Sequence, residues 1–154
     1  MPDTSPDNNS LVTVHFPCVH GLAKGQLVTI KCRYAPRQIG AIKIPSGIDE
    51  EIGKRIIGAS RFNEKHRSRK YGVLALLSTP YFSGESYGLA LAVADKLVRF
   101  GWQHGFKNVY ATGKLSADKK GAVDRVGSFE EKLDVIAENA TSPALLLFPR
   151  DNCS

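Results

Sequence analysis

The sequence has few cysteines, no metal-binding spacing and no long apolar run. Its three cysteines, Cys18, Cys32 and Cys153, are an odd number and include no C-x-x-C pair, so neither a zinc site nor a disulfide framework is indicated. Reduced thiols in the cytoplasm are the simplest interpretation, and neither a metal nor a cofactor is predicted. No apolar run reaches the roughly 18 residues that span a bilayer, which argues against a membrane protein.

The N-terminal stretch MPDTSPDNNS lacks both the basic start and the apolar segment of a secretion signal. Residues 1–10 are therefore predicted to be a disordered lead-in. Residues 11–154 are expected to form a single domain, because this length is sufficient for one hydrophobic core. Hydrophobic residues make up 42% of the chain and charged residues 23%, which is typical of a soluble globular protein.

The chain is basic, with a net charge of +6, and much of the excess lies in residues 61–70, RFNEKHRSRK. We call this stretch the basic connector; its cations are Arg61, Lys65, Arg67, Arg69 and Lys70. Such a cluster could contact nucleic acid or an acidic partner. A solvated connector between two elements is the simpler interpretation, so whether nucleic acid is a partner stays open.

Apolar periodicity predicts an alternation of strands and helices along the chain. The predicted strands are residues 11–23, 25–36, 40–47, 71–79, 107–115, 121–126 and 142–152. The predicted helices are residues 48–62, a helix from near Ser86 to Gly101, and residues 128–140. Ser128 and Glu131 match the S-x-x-E capping box at the start of the last helix. This interleaving predicts the α/β class, with a mixed sheet and packed helices.

The stretch GESYG, residues 84–88, places Ser86 between a strand and a helix and matches the G-x-S-x-G pattern of a nucleophile turn. Ser86 could equally be a capping residue in a glycine turn. A serine hydroxyl is a weak nucleophile until a nearby base takes its proton. His104 is the only histidine after Ser86, and it is a poor candidate because about 18 helical residues would place it more than about 20 Å away.

Two other interpretations of this turn depend on a phosphate and on a lysine. A glycine turn at a helix N-terminus can hold an anion, but the chain contains no G-x-x-x-x-G-K-[ST] motif, and SGESYG is only weakly similar to the loops of small-molecule kinases. Lys132 shares one helical face with Phe129, Leu133 and Ile136. It is either a lysine whose ammonium reaches solvent, or a buried lysine with a lowered pKa that can act as a base. The pattern alone leaves both open.

Five stretches together resemble the proteolytic domain of the Lon protease family. They are GESYG (84–88), TGK (112–114), GSFEEKL (127–133), LLLFPRDN (145–152) and VHGLAKGQLVTIKC (19–32). The family has a serine in a G-P-S-A-G turn, a T-G-E strand, a G-G-L-K-E-K-L helix with a catalytic lysine, and a P-x-E-N-like turn. The resemblance runs from Val14 to Asn152, and it implies the Lon proteolytic-domain fold.

The resemblance implies a serine peptidase that hydrolyses peptide bonds through an acyl-enzyme. Ser86 corresponds to the nucleophile, Lys132 to the general base, and Thr112 to a residue that orients the lysine amine. The backbone around Ser86, with Gly84, Glu85 and Tyr87, corresponds to the oxyanion region.

The resemblance also indicates partners. The chain carries no ATPase module of the Lon type, so its expected substrates are unfolded or flexible polypeptides. We expect a domain excised from a larger protein with ATPase or regulatory domains, and a homo-oligomeric ring of six subunits.

Several positions depart from the family pattern. Glu85 replaces a proline and Tyr87 a small residue, so that the tyrosine could narrow or cover the substrate cleft. Ser83 stands where many relatives have an aspartate, and Lys114 replaces the glutamate of T-G-E. Glu85, Tyr87 and the basic connector together motivate an alternative function, a non-catalytic Lon-like assembly or binding module, for example in a DNA-associated protein.

Overall fold

The computed structural model describes residues 11–19, 25–35, 42–43, 50–64, 72–79, 86–101, 108–116 and 122–153. Several expectations concern positions outside these described residues. They are the lead-in 1–10, the basic connector from Lys65 onward, Gly84, Glu85 and His104.

The described residues form eight strands and three α-helices in an α/β arrangement, which confirms the predicted class. The strands are β1 (Leu11–Cys18), β2 (Gln26–Tyr34), β3 (Ile42–Lys43), β4 (Val73–Leu77), β5 (Asn108–Ala111), β6 (Lys114–Leu115), β7 (Val123–Asp124) and β8 (Ala144–Leu147). The helices are α1 (Glu50–Ser60), α2 (Gly88–Phe100) and α3 (Phe129–Asn139). A 3-10 helix spans Arg150–Cys153. No described helix is long and apolar enough to cross a membrane.

Six of the strands form one mixed sheet in the order β3-β4-β2-β1-β5-β8. Strand β2 pairs antiparallel with both β1 and β4, whereas the β3–β4, β1–β5 and β5–β8 pairs are parallel. Strands β6 and β7 form a separate antiparallel pair. The register places Val14 opposite both Ile30 and Val109, so apolar side chains line up across the central strands.

One face of the sheet carries the hydrophobic core. Because side chains alternate along a strand, Val14, Val28 and Ile30 point to the same face, where they are completely buried. Helix α2 covers this face with Leu91 and Val98, which are buried on one side of the helix. The core therefore lies directly under the helix that follows Ser86.

The predicted strand over residues 107–115 is interrupted at Thr112 and Gly113. Gly113 N–H donates to the carbonyl of Ser86 at 2.9 Å, and the carbonyl of Gly113 accepts from Leu89 N–H at 2.9 Å. These backbone groups bond to the start of α2 instead of to a neighbouring strand, which ends β5 at Ala111. The predicted final strand is likewise shorter, ending at Leu147 before the 3-10 helix.

The predicted capping box at Ser128 is wrong, although the helix begins where expected. Ser128 has φ 54° and ψ 38°, and its side chain makes no capping hydrogen bond. An N-cap hydroxyl reaches the first turn from an extended backbone, whereas the left-handed conformation directs it elsewhere. By contrast, α2 ends at Gly101 as predicted, because the left-handed φ of 61° there favours glycine.

Arg61, the first cation of the basic connector, is not solvated. Only 3% of the residue is exposed, and its guanidinium donates to Asp95, which is completely buried. Asp95 also accepts from Arg99, and Glu64 accepts from Arg99 and Lys96. We call these five residues the ion-pair network. It joins the end of α1 to α2, and the expectation of an exposed Arg61 is wrong because its partner lies 34 residues away in the chain.

Candidate active site

Ser86 lies in a turn that backbone hydrogen bonds hold against the β5–β6 junction. Helix α2 begins at Gly88, and the N-cap position is Tyr87, which makes no side-chain capping bond. The carbonyl of Ser86 accepts from Gly113 N–H at 2.9 Å. Ser86 is thus outside the N-cap position, and its backbone is held by Gly113 at the β5–β6 junction.

Two glycines permit this close approach. A Cβ atom at Gly113 would lie 2.7 Å from Val123 Cγ1 and 3.0 Å from Leu89 Cβ, distances at which atoms overlap. A Cβ atom at Gly88 would lie 3.3 Å from the backbone nitrogen of Leu115. The last glycine of GESYG and the glycine of TGK therefore bring α2 and the strand junction into contact, which places Ser86.

Lys132 lies on α3. Only 8% of the residue is exposed, and Val135 and Ile136 on the same side of the helix are also buried. The helix packs closely on the end of β1, because a Cβ atom at Gly25 would collide with Val135 and lie 3.4 Å from the carbonyl oxygen of Cys18. The ammonium of Lys132 therefore does not extend into solvent.

The two side chains meet. Lys132 Nζ lies 3.2 Å from Ser86 Oγ, within hydrogen-bond distance. These residues are 46 positions apart in the chain, Ser86 in the turn before α2 and Lys132 on α3. A hydroxyl and a buried amine at this distance can exchange a proton, and this is the geometry that a serine nucleophile and its base require.

Burial lowers the pKa of Lys132, because an ammonium loses its hydration inside the protein. A negative charge on the neighbouring Cys18 thiol would act in the opposite direction. The lowered pKa increases the fraction of neutral amine, and only the neutral amine can accept a proton. Neither the contribution of Cys18 nor that of Gly25 was foreseen from the sequence; the only signals were that Gly25 lies within the stretch VHGLAKGQLVTIKC (19–32) and that Cys18 immediately precedes it.

Thr112 precedes Gly113, whose backbone N–H donates to the carbonyl of Ser86. The side chain of Thr112 nevertheless makes no hydrogen bond to Lys132. The residue is completely buried, and its Oγ1 has no hydrogen-bond partner among the described residues. Its backbone N–H donates to the carbonyl of Leu147 at 3.0 Å. The structure thus places Thr112 at the end of β5, without the contact that would orient the amine.

Tyr87 is buried in the core, whereas Lys114 is exposed. The Tyr87 side chain is 4% exposed and packs in the core, with its ring centroid 6.1 Å from that of Phe16. The Tyr87 ring therefore packs against the core and does not line an open substrate cleft. Lys114 is an exposed residue of β6, in register with Asp124 of β7.

The described histidine is not part of this arrangement. His15 lies on β1 with its Nδ1 2.8 Å from Thr29 Oγ1, and its ring contacts that of Tyr110 at 5.1 Å. Across the part of the chain that the structure describes, no three His, Cys, Asp or Glu side chains are grouped to hold a metal ion.

No family model matches the chain, and the search of curated proteins found no match.

Proposed function

We propose that this chain is a serine peptidase domain of the Lon type, in which Ser86 is the nucleophile and Lys132 the general base. The observation that carries the proposal is the 3.2 Å distance between Lys132 Nζ and Ser86 Oγ, with the lysine buried. The mixed sheet and the order of the two residues along the chain are compatible with the Lon proteolytic-domain fold that the motifs suggest.

The reaction follows from this geometry. The neutral amine of Lys132 takes the proton from Ser86 Oγ as the oxygen attacks the carbonyl carbon of the peptide bond. The tetrahedral intermediate then collapses: the C–N bond breaks, and the Lys132 ammonium gives its proton to the leaving amine. Water, deprotonated by the same amine, attacks the resulting ester. The ester C–O bond to Ser86 then breaks, the Lys132 ammonium returns its proton to Ser86 Oγ, and the carboxylic acid product loses its proton to solvent.

The turn at Ser86 also favours the negative charge that develops on the substrate oxygen. Ser86 lies two residues before Gly88, the first residue of α2, where the partial positive charge of the helix dipole is located. Backbone N–H groups in residues 84–88 would donate to the oxyanion. Gly84 and Glu85 lie outside the described residues, so their part in this oxyanion region stays a prediction.

The proposed substrates are flexible or unfolded segments of polypeptide. ATPase or regulatory domains of a parent protein are proposed partners, and so is a ring of six copies. The cytoplasm is the proposed compartment.

The test is covalent labelling with a fluorophosphonate, followed by intact-mass spectrometry. We expect one adduct on the wild type and none on Ser86→Ala or Lys132→Ala. Ser60→Ala and Lys54→Ala are matched controls, since these residues lie on α1, and both should be labelled like the wild type. Labelling of Ser86→Ala at the wild-type rate would contradict the proposal.

The second candidate is a non-catalytic Lon-like module that binds a partner such as DNA. Its grounds in the sequence were Glu85, Tyr87 and the basic connector. Two of these grounds are weakened by the structure, because Tyr87 is a core residue and Arg61 is paired inside the protein. This candidate predicts salt-dependent DNA binding that persists in Ser86→Ala.

A further inference from the structure

A cavity lies on the side of α2 that faces α1 and the β6–β7 hairpin. Its volume is about 300 Å³, at the lower end of the range for small-molecule sites. Neither Ser86 nor Lys132 lines it. The cavity is therefore a separate feature from the candidate active site.

The walls of the cavity are mostly apolar, and Lys96 is the cation among the lining residues. Ala59 of α1, Val93 of α2 and Leu115 of β6 are three of the apolar positions. Lys96 Nζ donates to the carbonyl of Ser60 at 3.0 Å and to Glu64 Oε2 at 2.8 Å. An ammonium has three N–H groups, so these two bonds leave one donor for a ligand.

The charge around Lys96 favours an anion. The ion-pair network contains three cations, Arg61, Lys96 and Arg99, and two carboxylates, Asp95 and Glu64. Three positive charges less two negative ones leave one positive charge beside the cavity. Lys96 is the network cation with substantial exposure, since 40% of its side chain reaches solvent, against 4% for Arg61 and 0% for Arg99.

We propose that this cavity binds a small carboxylic acid anion with an apolar body. The carboxylate accepts the third N–H of Lys96, and the apolar part lies between α1, α2 and the hairpin. An apolar ligand without the charge would leave the surplus positive charge uncompensated, and a cation would be repelled by it.

The cavity also shares a wall with the turn that holds Ser86. Leu89 and Val123 line the cavity, and the same two side chains enclose Gly113. Gly113 N–H donates to the carbonyl of Ser86. A ligand in contact with Leu89 and Val123 would oppose displacement of these side chains, and it should therefore stabilise the turn that this bond closes. This coupling does not depend on whether Ser86 is catalytic.

The first experiment is calorimetric titration of the full chain with hexanoate and, for comparison, with hexan-1-ol. We expect saturable binding of hexanoate that is about tenfold weaker or more in Lys96→Met, because a charge-assisted hydrogen bond is lost. Lys96→Arg should retain most of the affinity, and Lys54→Met, a surface control on α1, all of it. Ala59→Phe, which adds a ring at a residue that lines the cavity, should abolish binding.

The second experiment is hydrogen exchange at the Gly113 amide. Hexanoate at ten times its dissociation constant should slow this exchange about tenfold in the wild type, and should leave it unchanged in Ala59→Phe. Equal affinity for hexanoate and hexan-1-ol, undiminished binding to Ala59→Phe, or absence of saturable binding would overturn the site. Unaltered exchange at Gly113 with hexanoate bound would overturn its coupling to the Ser86 turn.

Discussion

Lys132 Nζ lies 3.2 Å from Ser86 Oγ, although 46 positions separate the two residues. Three features produce this relationship. The glycines at 88 and 113 let α2 approach the strand junction, Gly25 lets α3 approach β1, and burial keeps the amine out of water. The amine therefore has the hydroxyl as a neighbour and has limited hydration, the two conditions for a lysine base.

The pH dependence of Ser86 labelling should report the lowered pKa of Lys132. The reactive species is the neutral amine, so the labelling rate should rise with pH and level off above the pKa of the folded protein. Because burial lowers that pKa, the midpoint should lie below the ordinary lysine value. The measurement is the second-order rate constant of fluorophosphonate inactivation against pH. A midpoint at or above that of a free lysine would contradict the assignment.

Lys132→Met should stabilise the protein while abolishing labelling. The folded-state pKa of Lys132 is lower than the unfolded one, so the unfolded chain binds more protons and stability rises as pH increases between the two values. Methionine has no charge to bury, so the variant avoids the free-energy cost of burying an ammonium. We expect the free energy of unfolding to increase by about 1 kcal/mol at neutral pH. The gain should shrink as pH approaches the unfolded pKa.

Urea denaturation of Lys132→Met at several pH values measures this effect. Lys54→Met is the control, because Lys54 lies on the surface of α1 beside Glu51, and it should change stability by less than about 0.5 kcal/mol. A stability loss in Lys132→Met that does not depend on pH would show that the lysine contributes packing instead of a buried charge.

Gly113→Ala should destabilise the protein and slow labelling. The new methyl group would overlap Val123 and Leu89, and overpacking of this kind costs about 1–3 kcal/mol. Displacement of Gly113 would also weaken its bond to the carbonyl of Ser86. Thermal unfolding and the labelling rate are the two measurements.

Gly58→Ala is the matched control for Gly113→Ala. Gly58 lies inside α1, and a Cβ atom there meets no other atom within 4 Å. Alanine has the better helix propensity, so this variant should be more stable by up to about 1 kcal/mol, with unchanged labelling. If Gly113→Ala and Gly58→Ala had the same stability and the same labelling rate, close packing would not explain why residue 113 is a glycine.

Asp95→Ala should be among the most damaging single changes. Asp95 is completely buried and accepts hydrogen bonds from both Arg61 and Arg99. In the variant, both guanidinium groups would lose this buried carboxylate partner. Removing one partner of a buried ion pair costs about 3–5 kcal/mol. Glu51→Ala, which removes an exposed partner of Lys54, should change stability by less than about 0.5 kcal/mol in the same denaturation experiment.

Glu64 should make the protein sensitive to acid. Burial raises the pKa of Glu64, but hydrogen bonds from Arg99 and Lys96 outweigh it and lower the pKa to about 2. The folded pKa is thus below the unfolded one, so its contribution is present above the unfolded pKa and is lost as pH falls toward 2. Stability should fall by at most about 1.4 kcal/mol per pH unit from this group. In Glu64→Gln this part of the slope should disappear.

The sequence determined the class of the fold and the residues of the candidate dyad. Alternation in β1 and β2 and the apolar stripe of α2 are local patterns, and local patterns were sufficient to predict where most elements lie. The serine in GESYG and the lysine beside an apolar stripe could also be named from their chemistry. Their distance could not be predicted, since it depends on contacts between remote segments.

Only the tertiary structure decided which polar groups are buried and what they meet. The periodicity of α3 was compatible with a solvated lysine and with a buried one. The structure shows the buried one, on a helix whose Val135 packs against Gly25. Arg61 belongs to a basic run in the sequence, yet Asp95 removes it from that surface. Ser128 matched a capping motif but adopts a left-handed backbone. In each case the deciding interaction joins residues far apart in the chain, or depends on a backbone angle that residue types do not specify.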